Sequence, residues 1–223
     1  MKKTLVIGWR KGNVADELSL HLADRMTWLS SAETLDVTRP VSINGYLREA
    51  GPFDEIVYCA AVNELKWIPD ITHDDLVHTY SVNVFGLVEV VAKHIELYGD
   101  WRLRIVALVS DAARTPMRGS LLYGSSKTAL MGVIRNMARE LAPHTTVVGV
   151  SPGIIDDTPM TRYIDETVPV FRGWDPEQAK NYEQSMIPLK RRTTKREVAQ
   201  TLLFALNGPD ALTGSIIEIT GGK

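Results

Sequence analysis

The feature that most constrains this chain is a set of short apolar runs rich in β-branched residues. They are Leu5-Val-Ile7, Glu55-Ile-Val-Tyr-Cys-Ala-Ala61, Arg104-Ile-Val-Ala-Leu-Val109 and Thr146-Val-Val-Gly-Val150. Each is nearly continuously apolar rather than alternating, the pattern of a strand covered on both faces. Met26-Thr-Trp-Leu29 and the stretch from Thr213 to Gly222 read as two further strands. Between the runs, apolar residues recur at helical spacing. Strand and helix alternating in this way predict one open, mostly parallel sheet with helices on both faces and right-handed crossovers. The 223 residues, 44% of them hydrophobic, suffice for one sizeable core and so for a single domain over 1–223.

The helical segments carry their own punctuation. One follows Gly8, with Ala15, Leu18, Leu22 and Ala23 on one face. A helix over 41–49 is closed by Gly51-Pro52, and a long helical pattern over 72–98 starts at Thr72 with Asp74 and Asp75 in its first turn. Another begins near Leu121 and runs on through Leu130, Ile134, Met137 and Leu141, and a last one spans 194–207 before Gly208-Pro209. Residues 157–188 break this regularity. Their prolines and aromatics read as a substrate lid of short helices, since long irregular segments in compact domains usually serve function. The aromatics fit an apolar or aromatic substrate and fit lid packing equally well.

Several function classes fall away. A formal net charge of −2 gives no drive toward nucleic acid, and the basic run Lys190-Arg-Arg192 with Lys195-Arg196 opens a helix without any binding motif. No apolar run approaches a membrane span, and the one after Met1-Lys2-Lys3 is too short for a signal peptide and is interrupted by Arg10-Lys11. Cys59 is the only cysteine, so no intrachain disulfide can form and a reducing, cytoplasmic setting is expected, with Cys59 a buried structural thiol. The five histidines lack metal-ligand spacing, so no metal site is expected. A serine-hydrolase elbow is missing, and Asp156-Asp157 are adjacent rather than spaced as a glycosidase pair.

The chemistry concentrates in Ser110–Lys127. Ser110 follows the run Arg104–Val109, which puts it at a strand's carboxyl end, where open α/β sheets place their ligands. Tyr123 and Lys127 stand four apart on the helix that follows, so their side chains are neighbours. An ammonium beside a phenol favours the phenolate and brings its pKa toward the working range, and a serine hydroxyl can hold the same substrate oxygen. A second candidate is the turn Gly8-Trp-Arg-Lys-Gly-Asn-Val14 between strand and helix, with Arg10, Lys11, Gly12 and Asn13 inside it, an order suited to cradling a phosphate.

These features together resemble the short-chain dehydrogenase/reductase family along nearly the whole chain. Ser110 precedes Tyr123-Gly-Ser-Ser-Lys127 by the family's usual interval. The glycine turn departs from the family's Thr-Gly-x-x-x-Gly-x-Gly in Ile7 and Val14, and Tyr58-Cys-Ala-Ala61 stands where Asn-Asn-Ala-Gly is usual. Val14 is therefore expected to alter helix–strand packing and the pyrophosphate site. The resemblance implies a doubly wound, Rossmann-type sheet of about seven strands. It implies hydride transfer between a nicotinamide cofactor and a carbonyl or alcohol, with Ser110, Tyr123 and Lys127 catalytic and Asn83, in Ser81-Val-Asn-Val-Phe-Gly86, supporting a water-mediated proton path. Gly8, Ala60, Ala61, Asp36, Val37, Pro152, Gly153, Ile155 and Thr158 are the implied further cofactor contacts. Ser30 and Ser31 replace the acidic residue that an NAD enzyme places at this strand end, and Lys11 offers a base to a 2′-phosphate, so NADP(H) is favoured over NAD(H). A homodimer or homotetramer is implied as well. Two alternatives stay open: a cofactor-binding sensor or scaffold that has lost redox activity, and a non-redox enzyme using the same site.

Overall fold

The computed structural model describes residues 1–99 and 102–223. Six strands form one parallel sheet: β1 (Lys3–Ile7), β2 (Met26–Ser30), β3 (Glu55–Tyr58), β4 (Arg104–Leu108), β5 (Thr146–Pro152) and β6 (Ile216–Ile219), in the order β2-β1-β3-β4-β5-β6. The four runs singled out as buried strands form β1, β3, β4 and β5, the centre of the sheet. The expected count of about seven strands is thus one too high. The segment 31–39 between β2 and the next helix is too short for another crossover helix and strand, so β2 is the edge.

Helices α1 (Val14–Ser19) and α2 (Pro40–Ala50) are followed by α3 (His73–Tyr80) and α4 (Gly86–Tyr98); α5 is Leu121–Glu140, α6 Pro159–Arg172, α7 Pro176–Ser185 and α8 Lys195–Asn207. One sheet face is covered by α2, α4 and α5 through Ile43, Leu47, Val90, Leu130 and Ile134. The other is covered by α1 and α8 through Val14, Leu18, Val198, Leu202 and Leu206. Val14 is thereby accounted for: its side chain lies in the core beside Val6 and Val57. The first helix is shorter than its apolar spacing predicts and ends at Ser19, so Leu22 is buried from a turn and Ala23 is exposed.

The long pattern over 72–98 is one helical path with a π-turn, Ser81–Phe85, between α3 and α4. Thr72 and Asp75 form a reciprocal capping box at its start. Tyr58, standing where the resemblance leads one to expect asparagine, donates its hydroxyl to the Val82 carbonyl inside this π-turn at 2.6 Å. A π-turn frees carbonyls from the helical ladder, and such turns concentrate at functional sites. The lid segment is more regular than expected: α6 and α7 occupy most of it, capped by Thr158 and Asp175.

Candidate active site

From β1 the chain first moves outward to β2, then returns to β3 on the other side. This reversal opens a crevice at the carboxyl ends of β1 and β3, beside the ends of β4 and β5. The glycine turn borders it. Gly8 has φ +86°, and a Cβ there would lie 2.4 Å from the Ala60 amide nitrogen, so only glycine permits the two strand ends to approach this closely. Gly12, at φ +83°, has open space where a Cβ would stand. Asn13 pins the turn by donating to the Gly8 carbonyl at 2.8 Å while accepting from the Asp16 amide at 3.0 Å. Arg10 and Lys11 are exposed and have no ion-pair partner among the described residues.

The other residues singled out from the sequence make contacts within the protein. The Ser30 hydroxyl is fully buried and donates to the Val6 carbonyl at 3.3 Å, so it faces the sheet. The Ser30 contribution is its own carbonyl, which accepts from Gly8 and Trp9 at 2.9 Å each and shapes the turn. Ser31 lies in a turn in which its hydroxyl accepts from Glu33. Asp36 accepts from the hydroxyl and amide of Thr38, and those bonds hold its carboxyl below the usual range. Val37 is buried against Gly86. Ala60 and Ala61 are half-buried at the β3 end, and Pro152 and Gly153 end β5, where the Gly153 amide donates to Ile219. Ile155 bridges to Thr193, and its carbonyl accepts from Thr161, while Thr158 caps α6.

The three central side chains do converge. Ser110 leaves the end of β4, accepts from the Ala112 amide at 3.2 Å, donates to the Asp111 carboxylate at 3.4 Å and lies beside Tyr123. Lys127 is buried, its Nζ 5.7 Å from the centroid of the Tyr123 ring, and its only hydrogen bond among the described residues goes to the Leu108 carbonyl at 2.8 Å. Burial pushes the Tyr123 phenol up to about 12; the Ser110 hydroxyl acts against this and the charge of Asp111 with it. Burial thus dominates the phenol in this arrangement. It lowers Lys127 to about 8, with the nearby Cys59 acting in the opposite sense. Cys59 itself is raised to about 12 by burial and stays a thiol at neutral pH.

Asn83 joins the site indirectly. It is fully buried in the π-turn, accepts from the Val62 amide at 2.8 Å and donates to the Val62 carbonyl and Ser126 hydroxyl at 2.9 Å each. Ser126 in turn donates to the Tyr123 carbonyl at 2.8 Å. Both amide hydrogens are therefore spent on clamping the loop after β3 to α5.

Sequence reasoning missed four residues at the site. Asp16 accepts from the Gly12 amide at 2.8 Å and from the Trp9 indole at 3.0 Å, placing a carboxylate at the turn. Lys195 reaches the carbonyls of Gly12 and Asp157, and Lys223 pairs with Asp111 at 2.9 Å. Asp111 had a signal in its place beside Ser110 at the strand end and Asp16 in its place just after the glycine turn; the Lys195 and Lys223 contacts join distant segments. Among the described residues no cluster suited to a metal ion occurs, and no helix is long and apolar enough to cross a membrane.

A nucleotide cofactor fits this crevice. The open flank of Gly12, the close approach at Gly8 and the spare ammonium donors of the buried Lys127 all suit one. Asp16 and the brevity of α1 oppose it locally, while the exposed Arg10 and Lys11 bring positive charge to the turn.

Comparison with known proteins agrees with this geometry. The family model described as Enoyl-(Acyl carrier protein) reductase matches residues 14–223. The L-2,3-butanediol dehydrogenase of Corynebacterium glutamicum is 30% identical over 198 residues, covering 84% of this chain and 76% of its own. A short chain dehydrogenase family protein of Francisella tularensis superposes with a TM-score of 0.87 at 23% identity, over 100% of this chain and 98% of that one. The structure of a small-chain dehydrogenase in complex with NADPH gives a TM-score of 0.80 at 20% identity, over 100% and 98%. With strand order, crevice and family match in agreement, the chain belongs to the short-chain dehydrogenase/reductase family and is an oxidoreductase of that family.

Proposed function

We propose that the protein reduces a carbonyl to an alcohol, or runs the reverse reaction, with NADP(H) preferred over NAD(H). The observation that carries this reading is the convergence of Ser110, Tyr123 and Lys127 at the β4 end of the crevice. The cofactor, when bound, supplies or accepts the hydride. Arg10, Lys11, the Gly8–Val14 turn and Lys127 are assigned to holding it, and Ser110 to holding the substrate oxygen. A phenol near 12 is protonated at neutral pH, the form needed to give a proton to a carbonyl oxygen. Tyr123 is thus suited to reduction as it stands, and the Lys127 charge becomes important when the phenolate must be stabilised. Asn83 is a positioning residue here, because its amide is committed to Val62 and Ser126. The segment 157–188 is assigned as the substrate lid of a single domain. The exposed Leu76, Val77, Phe85 and Val88 mark the face assigned to self-association.

The test is Tyr123→Phe. Oxidation of NADPH across a carbonyl panel should fall at least a thousandfold, while NADPH binding, read by quenching of Trp9, stays near that of the unaltered protein. Turnover surviving in this variant refutes the assignment. Tyr58 and Cys59, where the family has asparagines, favour a second reading, a cofactor-binding sensor or scaffold. Saturable NADPH binding without turnover of any carbonyl would select it.

A further inference from the structure

Beside the site lies a cleft of about 1170 Å³. It begins at Asp111, next to Ser110, passes Thr115–Arg118 and Gly153, and is closed by the lid helices α6 and α7. Its charges do not cancel. Every acidic side chain that lines it lies beside a cation, three of them sharing Arg192. Asp111 pairs with Lys223 at 2.9 Å, while Arg192 holds Asp165 at 2.5 Å, Glu183 at 2.6 Å and Asp156 at 3.9 Å. Of the lining cations, Arg191 is taken by Glu197 at 2.7 Å. Arg118, Arg172 and Lys180 are left with no carboxylate partner among the described residues.

Arg172 is the most constrained of the three. Its guanidinium lies 5.0 Å from the centroid of the Trp174 ring, and its Nε is buried without a hydrogen-bond partner. A buried guanidinium N–H left unpaired is unfavourable unless something completes it. The neighbouring Phe171 stacks on Trp67 with centroids 4.3 Å apart. Gly119, at φ +76°, packs so tightly on Phe171 that a Cβ would come within 2.3 Å of the ring. Arg118 and Arg172 thus flank one close contact between the 115–119 loop and the lid, and both face the same cleft. A planar guanidinium stacked on an aromatic ring is pre-organised for two-point recognition of an oxyanion.

We propose that the substrate carries, away from its carbonyl, a carboxylate or phosphate group held by Arg172 and Arg118 at the lid end of the cleft. This rests on the carbonyl-reducing reading for the other end of the molecule. At the Ser110 end Asp111 is neutralised by Lys223, while at the lid end Arg118, Arg172, Lys180 and Arg192 outnumber Asp156, Asp165 and Glu183, and the three carboxylates gather on Arg192, leaving Arg118 and Arg172 free for a ligand.

The test uses the full-length protein with NADPH and pairs of substrates that differ in charge. Methyl-ketone acids, 4-oxopentanoate and 6-oxoheptanoate, are compared with their methyl esters, and hydroxyacetone phosphate with hydroxyacetone. At least one anion should exceed its neutral partner in kcat/KM by about tenfold or more. In Arg172→Met and in the double variant with Arg118→Met, that ratio should collapse to within about threefold of one. Arg135→Met, exposed on α5 outside the cleft, should keep it. Preference for a keto acid assigns a carboxylate, and preference for the phosphate ester assigns a phosphate. Equal use of both members of every pair, or a preference untouched in the double variant, overturns the proposal. If no carbonyl is reduced, the redox reading fails and the anion site is judged by binding alone. Quenching of tryptophan fluorescence by the keto acids or by hydroxyacetone phosphate, lost in Arg172→Met, supports it; absent or unchanged quenching overturns it.

Discussion

Asn83→Ala is the most informative perturbation, because one amide ties three elements together. Truncation removes the acceptor of the Val62 amide and the donors to the Val62 carbonyl and the Ser126 hydroxyl. The residue is fully buried, so water does not readily replace these bonds. At about 1 kcal/mol net for each bond, the loss is about 3 kcal/mol, and more if Val62 stays unpaired. Against a total of roughly 5–15 kcal/mol for a folded domain, that is a large fraction. The expected fall in Tm is about 6–12 °C for a chain of this size. Urea unfolding followed by circular dichroism gives the free energy, and hydrogen exchange at the Val62 amide gives the local effect. That amide should exchange far faster in the variant, and NADPH affinity should drop because the loop after β3 borders the crevice. Asn83→Asp keeps an acceptor for the Val62 amide but sets a carboxylate against a carbonyl and loses both donors, so it should destabilise at least as much. A loss below about 1 kcal/mol with unchanged Val62 exchange would refute the clamp and return Asn83 to a purely solvent-linking role.

Three further outcomes follow from the same geometry. Burial holds His94 below its ordinary value, outweighing the nearby Asp54 charge, and the Phe53 amide that donates to its Nε2 favours the neutral ring. The unfolded chain therefore takes up the proton first, and stability should decline as pH falls below about 6.5; equal urea midpoints at pH 7.5 and 5.5 would contradict this. Gly8→Ala should destabilise the protein strongly and abolish NADPH binding, since its Cβ would meet backbone rather than a movable side chain; a variant that binds NADPH normally would show that the β1 and β3 ends part easily. Combining Arg10→Ala with Lys11→Ala should weaken NADPH at least tenfold while changing NADH by less than threefold, and an equal loss for both would remove the proposed 2′-phosphate contact.

The central fold was legible because burial on both faces leaves a local mark. β1, β3, β4 and β5 are continuous apolar runs, and nothing but a parallel sheet flanked by helices covers such runs on both sides. The strand count was less legible: the chain between Ser30 and Pro40 looks like any loop until pairing shows β2 to be the edge. The π-turn was hidden for a related reason. Its residues keep helical spacing, and what stabilises the irregularity is the hydroxyl of Tyr58, a residue from another element.

At the site, the split falls between where groups stand and what state they are in. Ser110, Tyr123 and Lys127 could be placed from strand end and helix spacing alone, since both are local. Their protonation could not. Spacing predicts that Lys127 lowers Tyr123, yet burial acts on both groups at once, raising the phenol and lowering the ammonium. A buried pair in one low-dielectric pocket is driven toward neutrality on each side, and only an opposing charge or hydrogen bond reverses that. Here the one hydrogen bond of Lys127 among the described residues goes to the Leu108 carbonyl. On the proposed assignment, Tyr123 is poised as a proton donor for reduction more directly than as a base for oxidation. Oxidation needs the phenolate, and with it a stronger contact between Lys127 and Tyr123 than this state provides. The pH profiles should accordingly separate: reduction should persist over a broad neutral range, whereas oxidation should rise steeply with pH. Oxidation as fast at pH 7 as at pH 9 would mean that the ligand-bound site repairs the Tyr123–Lys127 contact before chemistry begins.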